Sequence, residues 1–155
     1  MKSAAQLGLI TAIAAVGGLG NWLADGRPSG IPADDYTPPK SANLGPNEVT
    51  LSQVENEDGV LWIDARHPDL WSDNGLPESI SISLSSPTPL GAQIEKHATA
   101  LYEAKMLVIY CDSATCHASY LLAERLRNDY SGLVPEKIVT LHGGFTALQA
   151  AGRLK

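Results

Sequence analysis

The sequence predicts an α/β fold built on a mostly parallel sheet, and three observations carry that prediction. Strand-type and helix-type segments alternate through residues 48–155. Two short runs, residues 60–63 and 106–110, are apolar throughout, as strands buried on both faces are. Both cysteines of the protein lie in one polar loop between the second of these runs and an amphipathic helix. Elements in this order specify a sheet with right-handed crossovers. The carboxyl end of a buried parallel strand, facing the next helix, is where open α/β sheets bind ligands. Unpaired amides and the helix dipole there favour an anion, a thiolate included.

The elements follow from local chemistry. Thr50-Leu-Ser-Gln53 matches a capping box and predicts a short helix over residues 51–56. Asp58-Gly59 is a turn signal, and the run Val60-Leu-Trp-Ile63 after it ends at Asp64. Residues 69–71 are predicted to make one helical turn before Asn74-Gly75 and Pro77 break the chain. Residues 79–84 alternate strictly between Ser and apolar positions, which predicts a strand with one packed face, ended by Pro87 and Pro89. Ile94, Ala98 and Leu101 stand at helical spacing, predicting one helix over 91–104. Met106 to Tyr110 is the second buried strand, and residues 117–129 form a helix with Ala118, Leu121, Leu122, Arg125 and Leu126 along one side, Arg125 snorkelling at its edge. Lys137-Ile-Val-Thr-Leu141 is a further strand, His142-Gly143-Gly144 a tight turn, and residues 145–151 a last helix. Trp62 and Trp71 read as core or half-buried packing.

The N-terminus differs in kind. Residues 3–24 hold no charged side chain over 22 positions. As a helix they would span about 33 Å, close to the roughly 30 Å of a bilayer core. Four glycines between Gly17 and Gly26 weaken a helix in water, whereas small residues are common in membrane helices; Trp22 suits an interfacial anchor. A transmembrane helix over residues 1–24 is therefore expected, with a cleaved signal as the rival reading, although no clean small-x-small site precedes Asp25. Lys2 on one side and Asp25, Asp34 and Asp35 on the other place the N-terminus in the cytoplasm and the rest in the periplasm or its equivalent. Residues 25–47, with five prolines and three glycines, form a linker, leaving 48–155 as one domain.

Charge and cysteine count exclude other classes. A formal charge of −6 with scattered basic residues argues against nucleic acid, since no Lys/Arg cluster exists to neutralise phosphates. Two cysteines exclude a disulfide framework and any four-cysteine zinc ribbon. Cys111-x4-Cys116-His117 is not a strong ligand spacing, so no metal and no cofactor is expected.

Several segments together resemble a rhodanese-like domain. Leu61-Trp-Ile-Asp64-Ala-Arg66 and Leu76-Pro-Glu-Ser-Ile80-Ser-Ile82 are similar to its strand ending in Asp-x-Arg and its following strand. Val108-Ile-Tyr-Cys111 with Ala123-Glu-Arg-Leu126 resembles its active-site strand and helix, and Thr140-Leu-His-Gly143-Gly144-Phe145 its closing turn. The resemblance implies a five-stranded sheet flanked by helices, with Cys111 accepting a sulfane sulfur as a persulfide from a small donor and passing it to a thiol acceptor. It also implies a pocket shaped by Asp112, Ser113, Ala114, Thr115 and His117 in the loop and by His142 on the neighbouring strand. Sulfurtransferase loops commonly carry a glycine three residues after the cysteine and an arginine five after; here those positions are Ala114 and Cys116. Without that arginine an anion loses its bidentate partner, which disfavours the related phosphatase and arsenate-reductase chemistry. Asp112 would also tend to raise the thiol pKa.

Alternatives stand at this point. Cys116 could resolve a persulfide or sulfenate on Cys111, or be a buried residue at the helix start. His117 could assist a thiolate, or be an exposed first-turn residue. Asp64 and Arg66 read as a structural ion pair. The sequence supports a membrane-tethered sulfurtransferase or thiol redox protein and, alternatively, a catalytically degenerate accessory subunit docked on a membrane-protein partner.

Overall fold

The computed structural model describes residues 44–114 and 116–154. Residues 1–43, which hold the expected anchor and most of the expected linker, lie outside the described residues, as does Thr115. Among the described residues no helix is long and apolar enough to cross a membrane.

Five strands form one sheet: β1 (Glu48–Val49), β2 (Val60–Asp64), β3 (Ser79–Ser81), β4 (Met106–Tyr110) and β5 (Ile138–Leu141). Their order across the sheet is β1-β5-β4-β2-β3 and every pairing is parallel. The helices are α1 (Pro68–Asn74), α2 (Leu90–Lys96), α3 (Ala98–Glu103), α4 (Ala118–Asp129) and α5 (Gly144–Ala150), with a 3₁₀ turn at Leu51–Gln53.

β4 lies at the centre, and all five of its residues are buried. Side chains alternate across a strand, so Leu107 and Ile109 join one core with Ile94, Leu101, Leu122 and Leu126. Met106, Val108 and Tyr110 join the other, with Trp62, Leu76 and Leu148. Helices α2, α3 and α4 thus cover one face, and α5 with the 3₁₀ turn covers the other. The same alternation sends Cys111, next in phase after Ile109, toward α4.

Local details differ from the sequence expectations for physical reasons. The capping-box exchange forms, with the Thr50 N–H donating to Gln53 Oε1 at 2.8 Å, but it starts only a 3₁₀ turn. The strand expected over 79–84 ends at Ser81: Ile82 N–H still reaches Asp64 O, then the Ser83 N–H turns to the Gln93 side chain at 2.9 Å. The helix expected over 91–104 breaks at His97, yet Ile94 and Leu101 stay in one core because they lie two turns apart. On α4 the buried stripe is Ser119, Leu122, Ala123 and Leu126, rotated from the expected one; Leu121 is exposed and Arg125 pairs with Asp129 at 2.8 Å. α1 runs over seven residues rather than one turn, started by Pro68 at its first position.

Tyr110 is the largest fully buried side chain. Its hydroxyl accepts the Leu76 N–H at 3.0 Å and lies 3.2 Å from Ser79 Oγ. Burial, then the nearby Asp64 charge, push its pKa well above the usual tyrosine range. Tyr110→Phe is expected to lower stability by about 1–3 kcal/mol, because the buried Leu76 N–H loses its acceptor. The folded chain keeps the phenol proton that the unfolded chain releases above pH about 10, so wild-type stability falls with pH there. Denaturant midpoints at neutral and alkaline pH check both effects, and the variant lacks this contribution to the alkaline decline.

Candidate active site

The site begins where β4 ends. Cys111 is 1% exposed, its side chain turned onto the face covered by α4. The loop that follows returns the chain on itself through a Cys116 N–H to Ser113 O bond of 3.2 Å. That curl brings Cys116 back over Cys111, and the structure joins the two sulfurs in a disulfide with a Cα–Cα distance of 6.3 Å, inside the usual range of about 4.4–6.8 Å. Cys111 Sγ also lies 3.3 Å from Cys116 O and 3.5 Å from Ser119 Oγ in the first turn of α4.

The Gly143-Gly144 turn holds the loop from the other side. Phe145 N–H donates to Cys111 O at 2.7 Å, and Thr146 Oγ1 donates to Asp112 O at 3.2 Å. Both glycines have positive φ, and a Cβ on Gly144 would stand 2.1 Å from Cys111 O. Only a glycine allows the turn to approach the cysteine backbone this closely.

Beneath the loop, Arg66 connects four elements. Its guanidinium donates to both oxygens of Asp64 at 2.7–3.1 Å and to Asn74 Oδ1 at 3.1 Å. It stacks 4.0 Å from the centre of the Phe145 ring, and its Nη1 lies 4.0 Å from Asp112 Oδ1. The Asp64–Arg66 ion pair is thus present and buried at the end of β2.

A cleft of about 250 Å³ opens beside the loop. Ser113, Ala114, Cys116, His117, Ser119 and Tyr120 form one wall; residues 45–48 with Thr140 and Leu141 form the other. Of the expected site residues, Ser113, Ala114, Cys116 and His117 line this cleft. Cys111 lies buried behind Cys116, and the Asp112 side chain is 63% exposed without lining the cleft. His142 is half-buried and not a lining residue; its Nδ1 pairs with Glu48 Oε1 at 2.8 Å. Glu48, Tyr120 and Thr140 enter the site without having been expected there. Glu48 gave no signal, since His142 is 94 positions away along the chain. Among the described residues no group of three His, Cys, Asp or Glu side chains is placed to hold a metal ion.

A family model for the rhodanese-like domain matches residues 48–151. The chain belongs to the rhodanese-like family. Solved structures with the same fold include the BH2092 protein from Bacillus halodurans, at 18% identity and TM-score 0.53 over 70% of this chain and 75% of that one. The As-Sb reductase from Leishmania major is similar at 22% identity and TM-score 0.52, over 68% of this chain and 78% of that one. No curated protein matches the sequence. Within this rhodanese-like domain the loop carries Ala114 and Cys116 where sulfurtransferase loops commonly carry glycine and arginine, and among the described residues no Lys or Arg lines the cleft.

Proposed function

We propose that the protein performs sulfane-sulfur and thiol redox chemistry at Cys111, with Cys116 as its resolving thiol. The observation that carries this reading is the pairing of the two cysteines across one loop, Cα atoms 6.3 Å apart, at the carboxyl end of the central strand. In the dithiol state Cys111 takes the outer sulfur of a persulfide: R–S–SH + Cys111–SH gives R–SH + Cys111–S–SH. Cys116 thiolate then attacks Cys111 Sγ, releases the outer sulfur as hydrogen sulfide and closes the disulfide. An external thiol acceptor reopens it, two acceptor thiols becoming a disulfide. Cys116, half-buried on the cleft wall, is the sulfur such a thiol meets first. The Ser119 hydroxyl and the first amides of α4 stabilise the thiolate.

The same reading tethers the domain to a membrane through residues 3–24 and places it outside the cytoplasm, where a disulfide persists. A second reading, an accessory subunit of a membrane complex that keeps the fold without its catalysis, is favoured by the 1% exposure of Cys111 and by a cleft that no Lys or Arg lines among the described residues.

Intact mass measurement separates the two. After reduction and exposure to a persulfide donor, Cys116→Ser is expected to gain one sulfur atom at Cys111, while the wild type loses two hydrogens and releases sulfide. Cys111→Ser is expected to do neither. A Cys116→Ser protein that stays at its starting mass would sink the enzymatic reading and leave the accessory one.

A further inference from the structure

We infer that the cleft selects its sulfur donor by charge, admitting cationic and neutral persulfides ahead of anionic ones, with the Glu48 carboxylate as the discriminating group. This rests on the sulfur-transfer reading and names the donor class. Glu48 stands on β1, across the cleft from Cys116 and His117. Its Oε1 is 2.8 Å from His142 Nδ1 and its Oε2 accepts the Gly45 N–H at 3.0 Å. Fixed at both oxygens, the carboxylate stays in the wall with its side chain 23% exposed.

Among the described residues no Lys or Arg lines the cleft to offset it, and its one ion-pair partner there is an imidazole, charged only when protonated. Asp112 adds a second carboxylate beside Cys111, partly offset by Arg66 Nη1 at 4.0 Å. The Arg66 guanidinium lies beneath the loop, but its side chain is 2% exposed and its donors are engaged by Asp64, Asn74 and Leu70 O. A donor such as thiosulfate therefore brings negative charge toward carboxylates without meeting, among the described residues, an exposed guanidinium fork at the cleft. At about 4 Å one unit charge pair changes a rate about fivefold in water, and more in a partly shielded cleft. At about 250 Å³ the cleft is smaller than the roughly 300–1,000 Å³ of drug-sized sites, so the donor is a molecule of few heavy atoms.

Three matched two-carbon donors test this: the persulfides of cysteamine, mercaptoethanol and mercaptoacetate, which carry an ammonium, a hydroxyl and a carboxylate. Sulfur gain at Cys111 is timed by intact mass on full-length, reduced Cys116→Ser protein and normalised to each donor's rate with a cysteine peptide. The expected order is ammonium, hydroxyl, carboxylate, with a spread of about tenfold at low ionic strength. About 1 M salt should compress the spread, since the screening length falls to roughly 3 Å. Glu48→Gln should narrow it, as should Asp112→Asn to a smaller extent. Equal rates, a faster carboxylate donor, or a spread untouched by Glu48→Gln would overturn the inference while leaving sulfur transfer standing. Failure of all three donors to load Cys111 overturns the sulfur-transfer reading and this inference with it.

Discussion

Arg66→Ala is expected to destabilise the domain by about 3–5 kcal/mol, the cost of leaving one partner of a buried ion pair uncompensated. Asp64 is 0% exposed, and both its oxygens accept from the guanidinium at the end of β2. Truncating Arg66 leaves that carboxylate with the Arg66 backbone N–H at 2.9 Å and the nearby Tyr110 hydroxyl, neither of which carries a compensating charge. It also removes the bond to Asn74 and the guanidinium stacked 4.0 Å from the Phe145 ring centre. The loss thus spreads from β2 to α1 and α5. Chemical denaturation with fluorescence from Trp62 and Trp71 would measure it. Joint replacement with apolar residues, Asp64→Leu with Arg66→Met, should recover much of the loss, because no buried charge then remains. A single-variant cost below about 1 kcal/mol, the range of exposed pairs, would show that the pair is solvated in solution. Arg66 Nη1 also lies 4.0 Å from Asp112 Oδ1, so Arg66→Ala should slow sulfur loading at Cys111 even where the variant remains folded.

The sheet was readable in the sequence wherever burial shaped the composition. Val60 to Ile63 and Met106 to Tyr110 are apolar because β2 and β4 are interior strands packed on both faces. β1 was not readable: it is two residues long, includes the charged Glu48, and exists because Thr140 and His142 donate to Asn47 and Val49 from nearly a hundred positions away. The break at His97 was hidden for a related reason, since Ile94 and Leu101 keep their phase across it. The cysteine loop announced itself because strand, thiol and helix are adjacent in the chain. The opposite wall of the cleft comes from residues 45–48 and 140–141, and no local pattern records that juxtaposition. The stripe on α4 was rotated because its burial is decided by contact with Cys111 and β4, which brings Ser119 inside and leaves Leu121 out.

Gly144→Ala should do far more damage than Gly152→Ala, and the comparison isolates why. Both glycines have positive φ, +51° and +66°, so each alanine carries a left-handed backbone cost of about 1–2 kcal/mol. At Gly152 nothing lies within 4 Å of the new Cβ, and the cost should end there. At Gly144 the Cβ would stand 2.1 Å from Cys111 O and 3.0 Å from Cys111 C. Both are backbone atoms, which cannot yield as a side-chain tip does. The turn must move off the end of β4, giving up the 2.7 Å bond from Phe145 N–H to Cys111 O, and overpacking adds about 1–3 kcal/mol or more. A total near 3–5 kcal/mol is therefore expected for Gly144→Ala, against about 1–2 kcal/mol for Gly152→Ala. The functional effect should be larger still, because the displaced atoms belong to the peptide of Cys111, the nucleophile proposed above. In the Cys116→Ser background, at a temperature where both variants are folded, Gly152→Ala should load sulfur at the rate of Cys116→Ser alone and Gly144→Ala at least about tenfold more slowly, since small misplacements of a reacting group cost rate steeply. Equal loading by the two variants would mean that the turn supports the fold alone and leaves the cysteine loop to position itself.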